Sequence, residues 1–137
     1  VKMLVKNNIA VMGHLGVRPQ SAKNFKFKGK KISERNKILN EAKLLESAGV
    51  FSMVLECIES SLAKKITKNI NIPTIGIGAS NNCDGQVLVT DDLIGLNPIN
   101  VRFVKKYSNI RNEIVKAVRN YSIEVKNKKF PLKKHSY

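Results

Sequence analysis

The sequence predicts an α/β fold on a parallel sheet, and three observations carry that prediction. Short apolar runs without polar alternation recur along the chain, as expected of strands buried on both faces. Helical periodicities separate these runs, and strand–helix–strand order requires parallel strands joined by right-handed crossovers. The chain has 137 residues and no linker that would divide it, so residues 1–137 are read as one domain.

The first apolar run is Ile9-Ala10-Val11-Met12-Gly13. A loop then runs from His14 through Arg18-Pro19-Gln20 into Phe25-Lys26-Phe27-Lys28-Gly29, whose alternation suits a small edge ribbon. Ser33 is placed to cap a helix in which Ile38, Leu39, Ala42, Leu45 and Ala48 recur at helical spacing, and Gly49 supplies its stop. Val50–Leu55 reads as the second strand. Ser60 or Ser61 opens a shorter helix with Leu62, Ile66 and Ile70 on one face. Ile72–Ile77 is the third strand, with Pro73 near its start where a missing donor is tolerable. A turn-rich stretch, Gly78–Gly85, leads to a fourth strand at Gln86–Val89. The last helix spans about residues 111–126, with Ile114, Val115, Val118, Tyr121 and Val125 as its apolar stripe. This order fits either a small open sheet or part of a barrel. A closed eightfold α/β barrel needs about 250 residues.

Composition excludes several classes. No apolar stretch approaches the roughly 20 residues of a membrane span, and the first residues lack the apolar core of a secretory signal. A cytoplasmic location is the expectation, with Cys57 and Cys83 reduced rather than bridged. The net charge of +15 invites a nucleic-acid reading. However, the lysines are scattered among asparagines and isoleucines, as the codon bias of an AT-rich genome would leave them. No helix-turn-helix, aromatic RNA-binding run or paired Cys/His finger accompanies them. The densest basic clusters, Lys23–Lys31 and Lys126–Lys134, read as solvated segments.

In parallel α/β proteins the working residues gather where strands end. Here the strand ends carry His14, then Glu56 and Cys57, then Gly78-Ala79-Ser80, then Thr90-Asp91-Asp92. Glu56 follows an apolar run directly, at a low-dielectric rim that suits a general base. The bland alternative is a charge at the start of the following helix, a role that Glu59 fits better. His14 sits between Gly13 and Gly16, small neighbours that let a ligand or backbone approach closely. Gly76-Ile77-Gly78-Ala79 lacks the third glycine of a dinucleotide site, and Asp84 would repel phosphate. Asp91 and Asp92 could hold a hard cation, but adjacent acids project differently. No Cys, His and acid spacing specifies a metal site.

Taken together, Val11–Ser21, Val54-Leu55-Glu56-Cys57, Ile72–Ala79 and Cys83–Val89 resemble the ketopantoate hydroxymethyltransferase (3-methyl-2-oxobutanoate hydroxymethyltransferase) family, and Phe130-Pro131 to Tyr137 is similar to its C-terminus. The resemblance implies a (β/α)₈ TIM barrel, of which this chain would be the C-terminal half, strands five to eight. It implies transfer of a one-carbon unit from 5,10-methylenetetrahydrofolate to 3-methyl-2-oxobutanoate, with Mg²⁺, in pantothenate and coenzyme A biosynthesis. Glu56 matches the family's proton acceptor and His14 a histidine at the active-site mouth, in contact with substrate. The family's Mg²⁺-ligating acids and substrate-binding lysine lie on earlier strands, which would precede Val1. Asp91 stands where the family often has histidine, and Ser80 where glycine is usual. A half barrel of this kind is expected to pair with a separately encoded N-terminal half or to form a homo-oligomer, and to be inactive alone. The different-class alternative is a noncatalytic basic binding module on a retained α/β scaffold.

Overall fold

The computed structural model describes residues 1–18 and 27–137. The chain forms two compact units, Val1–Val87 and Leu88–Tyr137. The first contains α1 (Lys2–Lys6), β1 (Met12–Gly16), α2 (Ile32–Ser47), β2 (Ser52–Glu56), α3 (Ser60–Asn69), β3 (Thr74–Ile77) and β4 (Gly85–Gln86). The second contains α4 (Thr90–Leu93), α5 (Ile110–Lys126) and a 3₁₀ turn at Lys133–His135.

The four strands form one parallel sheet in the order β1-β2-β3-β4. A doubly wound sheet reverses its strand order, whereas successive units of a barrel do not. The sequential order therefore matches consecutive (β/α) units. Register assigns the two faces: Gly13 pairs with Met53, Leu15 with Leu55, and Leu55 with Gly76. Leu15, Met53 and Leu55 are buried in one core with Ile38 and Ala42 of α2 and Leu62, Ala63 and Ile66 of α3. The alternate positions His14, Val54, Glu56, Ile75 and Ile77 are only partly buried and occupy the opposite face.

Four expectations need correction. The first strand is Met12–Gly16 rather than Ile9–Gly13, so His14 lies within the strand and not in the loop after it. Its two glycines and histidine look like loop chemistry, but pairing to β2 overrides that local preference. Helix α2 begins at Ile32 with Lys31 at its N-cap, which places Ser33 inside the first turn, too late to cap. Gly49 does stop it, at φ +85°. The fourth strand is confined to Gly85–Gln86, and Val87 and Val89 are half exposed. Thr90-Asp91-Asp92 accordingly opens α4 instead of ending a strand. The ribbon expected at Phe25–Gly29 falls partly outside the described residues. Within them, Lys28 forms a single parallel bridge to Ile58.

The β3–β4 crossover, residues 78–84, contains no helix, although such a connection usually needs about a dozen residues. Asp84 makes the short path possible. Its Oδ2 accepts from the Thr74 N–H at 2.8 Å and from the Thr74 hydroxyl at 2.9 Å, tying the end of the crossover to the start of β3. Those bonds, the backbone one first, hold the Asp84 carboxyl below its ordinary range. Helix α5 runs nearly as expected, yet none of its residues is buried, and Ile114, Val115, Val118, Tyr121 and Val125 all stay substantially exposed. Phe130 meets the edge of Tyr121 with ring centroids 5.6 Å apart. Among the described residues no helix is long and apolar enough to cross a membrane.

Candidate active site

The site is built where β2 ends. Glu56 is the last strand residue, directly opposite Gly16 of β1 and Ile77 of β3 in register. Gly16 has φ +107°, and a Cβ there would collide with the Glu56 carbonyl. Only glycine lets the two strand ends close, and the closure is made by the Val17 N–H donating to that carbonyl at 2.9 Å. The following residue, Cys57, takes a left-handed backbone at φ +49°, rare for a residue with a side chain. Its N–H donates to Ile77 O at 2.9 Å and its carbonyl accepts from the Lys28 N–H at 2.7 Å, so neighbours on both sides fix the turn.

These constraints leave the Glu56 side chain on the face away from the helices. His14 is two residues earlier in register on the same face, and its Nε2 lies 3.0 Å from Glu56 Oε2. A carboxylate only accepts, so the Nε2–H donates. The Glu56 side chain is 13% exposed and His14 35%, which leaves the pair open on one side. Its second carboxylate oxygen, Oε1, makes no hydrogen bond among the described residues. The arrangement provides a carboxylate steered by an imidazole at the C-terminal rim of a parallel sheet, geometry suited to proton abstraction. The Cys57 thiol is pushed up by burial and then by the Glu56 charge, which keeps it protonated rather than nucleophilic.

The other strand-end candidates take structural duties. Ser80 is buried, and its hydroxyl accepts from the Asn82 N–H and side-chain amide at 3.2 Å and from the Ser60 hydroxyl at 3.3 Å. Its carbonyl accepts from Gln86 Nε2 at 2.7 Å. Asp92 Oδ1 accepts from the Asn97 side-chain amide at 2.9 Å within the second unit. Glu59 is the N-cap of α3, accepting from the Ser61 and Leu62 N–H groups. The Ser61 hydroxyl above all, with Arg35 and those backbone donors, holds its carboxyl down to about 2. Cys57 and Cys83 are both free and buried. Among the described residues no group of three His, Cys, Asp or Glu gathers to hold a metal ion.

Sequence reasoning missed Arg35, whose guanidinium bonds Glu59, Ser61 and the Gly29 carbonyl together. The available signal was the adjacent Glu34-Arg35 pair soon after Gly29, which local spacing alone does not connect to Glu59.

The family model described as ketopantoate hydroxymethyltransferase matches residues 1–133. The chain belongs to that family. Across all 137 residues it is 68% identical to a 3-methyl-2-oxobutanoate hydroxymethyltransferase of Pelagibacter ubique strain HTCC1062, covering 53% of that protein. It is 48% identical to the protein of the same name from Phenylobacterium zucineum over 96% of this chain and 49% of that one. The Carboxydothermus hydrogenoformans protein of that name is also 48% identical, over all of this chain and 51% of its own length. The chain thus spans about half the length of the curated relatives it matches. Ketopantoate hydroxymethyltransferase family membership accounts for the parallel α/β unit and its sequential strand order.

Proposed function

We propose that this chain is the C-terminal half of a 3-methyl-2-oxobutanoate hydroxymethyltransferase, one partial (β/α) barrel domain supplying the base of a one-carbon transfer in pantothenate and coenzyme A biosynthesis. The observation that supports it is the His14–Glu56 pair, 3.0 Å apart on the partly open face of the sheet. Glu56 is the catalytic base. It takes the proton from C3 of 3-methyl-2-oxobutanoate, and the C–H electron pair moves toward the keto oxygen as an enolate. C3 then bonds to the methylene carbon of 5,10-methylenetetrahydrofolate, and both C–N bonds of that carbon break. One water supplies the hydroxyl oxygen, and tetrahydrofolate leaves with its two nitrogens carrying the proton taken from C3 and one from the water. His14 holds Oε2, so that Oε1 is left to meet the proton, and lies beside the substrate.

An enolate needs donors or a Lewis acid to hold its charge. The residues of this chain do not fit Mg²⁺, because no three-ligand cluster forms among those described. In this reading the charge-stabilising groups belong to the other half of the fold. Among the described residues β1 pairs only with β2 in the sheet, and its outer edge is where a strand of that half would add. The enzyme works in the cytoplasm, as an assembly of the two halves or of several copies.

The test supplies the complementary half from the Pelagibacter ubique relative together with this chain. Ketopantoate formation is then followed from 3-methyl-2-oxobutanoate and 5,10-methylenetetrahydrofolate with Mg²⁺. Glu56→Gln is expected to lower kcat by about 10²–10⁴-fold, the usual worth of a general base. Full activity in the variant would sink the assignment.

A further inference from the structure

We propose that Arg35 is a positioning residue of the candidate site, acting through a strap of chain that holds the turn leaving Glu56. Both backbone groups of Gly29 are gripped by the first turn of α2. Its N–H donates to Glu34 Oε2 at 2.8 Å, and its carbonyl accepts from Arg35 Nη1 at 3.2 Å. Gly29 has φ +88°, and a side chain there would collide with Leu62, so the grip is made on glycine. The same Arg35 binds the Glu59 carboxylate, the N-cap of α3, and donates from Nη2 to the Ser61 hydroxyl at 2.9 Å.

One guanidinium therefore fastens the strap to two helix starts at once, as its planar fork allows. Beside Gly29, the Lys28 N–H donates to Cys57 O at 2.7 Å, and Lys28 O accepts from the Glu59 N–H at 2.8 Å. Cys57 is the residue after Glu56, and its left-handed turn sets the direction in which the chain leaves the base. Arg35 acts on Glu56 through this path without touching it. The catalytic consequence rests on the proposed function, and the effect on the His14–Glu56 pair does not.

Two arms test it. The first reads the His14 imidazole by ¹⁵N NMR in the 137-residue chain, with His135 as internal control. Wild type is expected to show the Nε2–H tautomer. Arg35→Gln is expected to shift His14 toward a tautomer mixture and to speed amide exchange at Lys28 and Glu59 about tenfold, leaving His135 and the Met53 and Leu55 amides unchanged. Glu34→Ala, which releases Gly29 from the other side, is expected to act in the same direction and serves if Arg35→Gln does not fold. An unchanged His14 signal, or acceleration of all amides together, overturns the proposal. The second arm measures turnover in the complemented enzyme. Arg35→Gln is expected to lower kcat about tenfold with KM nearly unchanged, and Arg35→Lys to recover part of the loss. Wild-type turnover with a variant kcat equal to it overturns the positioning role. Absence of wild-type turnover counts against the proposed function, and the first arm then decides the inference alone.

Discussion

Two carboxylates three residues apart do different work because their surroundings differ. Glu56 ends a strand and faces His14, whereas Glu59 is surrounded by donors from Ser61, Leu62 and Arg35. Glu59 is held at about 2, against 4.5 when free, so its folded-state value is the lower one. Its stabilising contribution is therefore present above about 4.5 and lost as pH falls through about 2. Urea unfolding of wild type and Glu59→Gln should show a stability gap that is constant above this window and closes within it. Asp84 also weakens in acid, but it is common to both proteins and cancels in the difference. A gap independent of pH across the window would contradict the assignment. Glu56 and Glu59 were both legible in the sequence, one after an apolar run and one ahead of a helix. The pairing of His14 with Glu56 was not, because it depends on register between strands 42 residues apart in sequence.

Elements were legible where local chemistry and tertiary packing agree. Helix α2 stops at its glycine, and α3 starts at the serines with the glutamate before them as cap. Strand β1 was displaced because its paired segment, Met12-Gly13-His14-Leu15-Gly16, contains the residues that propensity assigns to loops. Strand β4 was over-extended because Val87-Leu88-Val89 is apolar enough for a strand, while the ladder ends at Gln86 and Val87 adds only one N–H bond to Gly76 O. What keeps β4 in place is the Asp84 clasp on Thr74, a residue with no exposed surface. Asp84→Ala removes the acceptor of a buried N–H and leaves the Thr74 hydroxyl with Thr67 and the backbone N–H of residue 84 as partners. The expected cost is about 1–3 kcal/mol, read as a lower urea midpoint at unchanged slope. A change below the error of extrapolation would show that the short crossover holds itself without the clasp.

For the whole molecule, the proposed division between two halves bears on chemistry and architecture alike. Among the described residues the sheet ends at β1 with no strand on its outer edge, and the face bearing His14 and Glu56 is only partly buried. That face carries the His14–Glu56 pair, but no cluster of metal ligands is found among the described residues. Removing a proton next to a ketone without stabilising the resulting oxyanion leaves most of the barrier in place, and one missing oxyanion donor already costs about 10²–10³-fold. The purified 137-residue chain is therefore expected to form no measurable ketopantoate, with or without Mg²⁺, while mixing it with the complementary half should both restore turnover and raise its unfolding midpoint. The two gains should appear at the same ratio of the halves, since one docking event would cover the open edge and complete the site. Mg²⁺-dependent ketopantoate formation by the chain alone would show that its own residues hold the enolate charge, and the division of labour between two halves would be wrong.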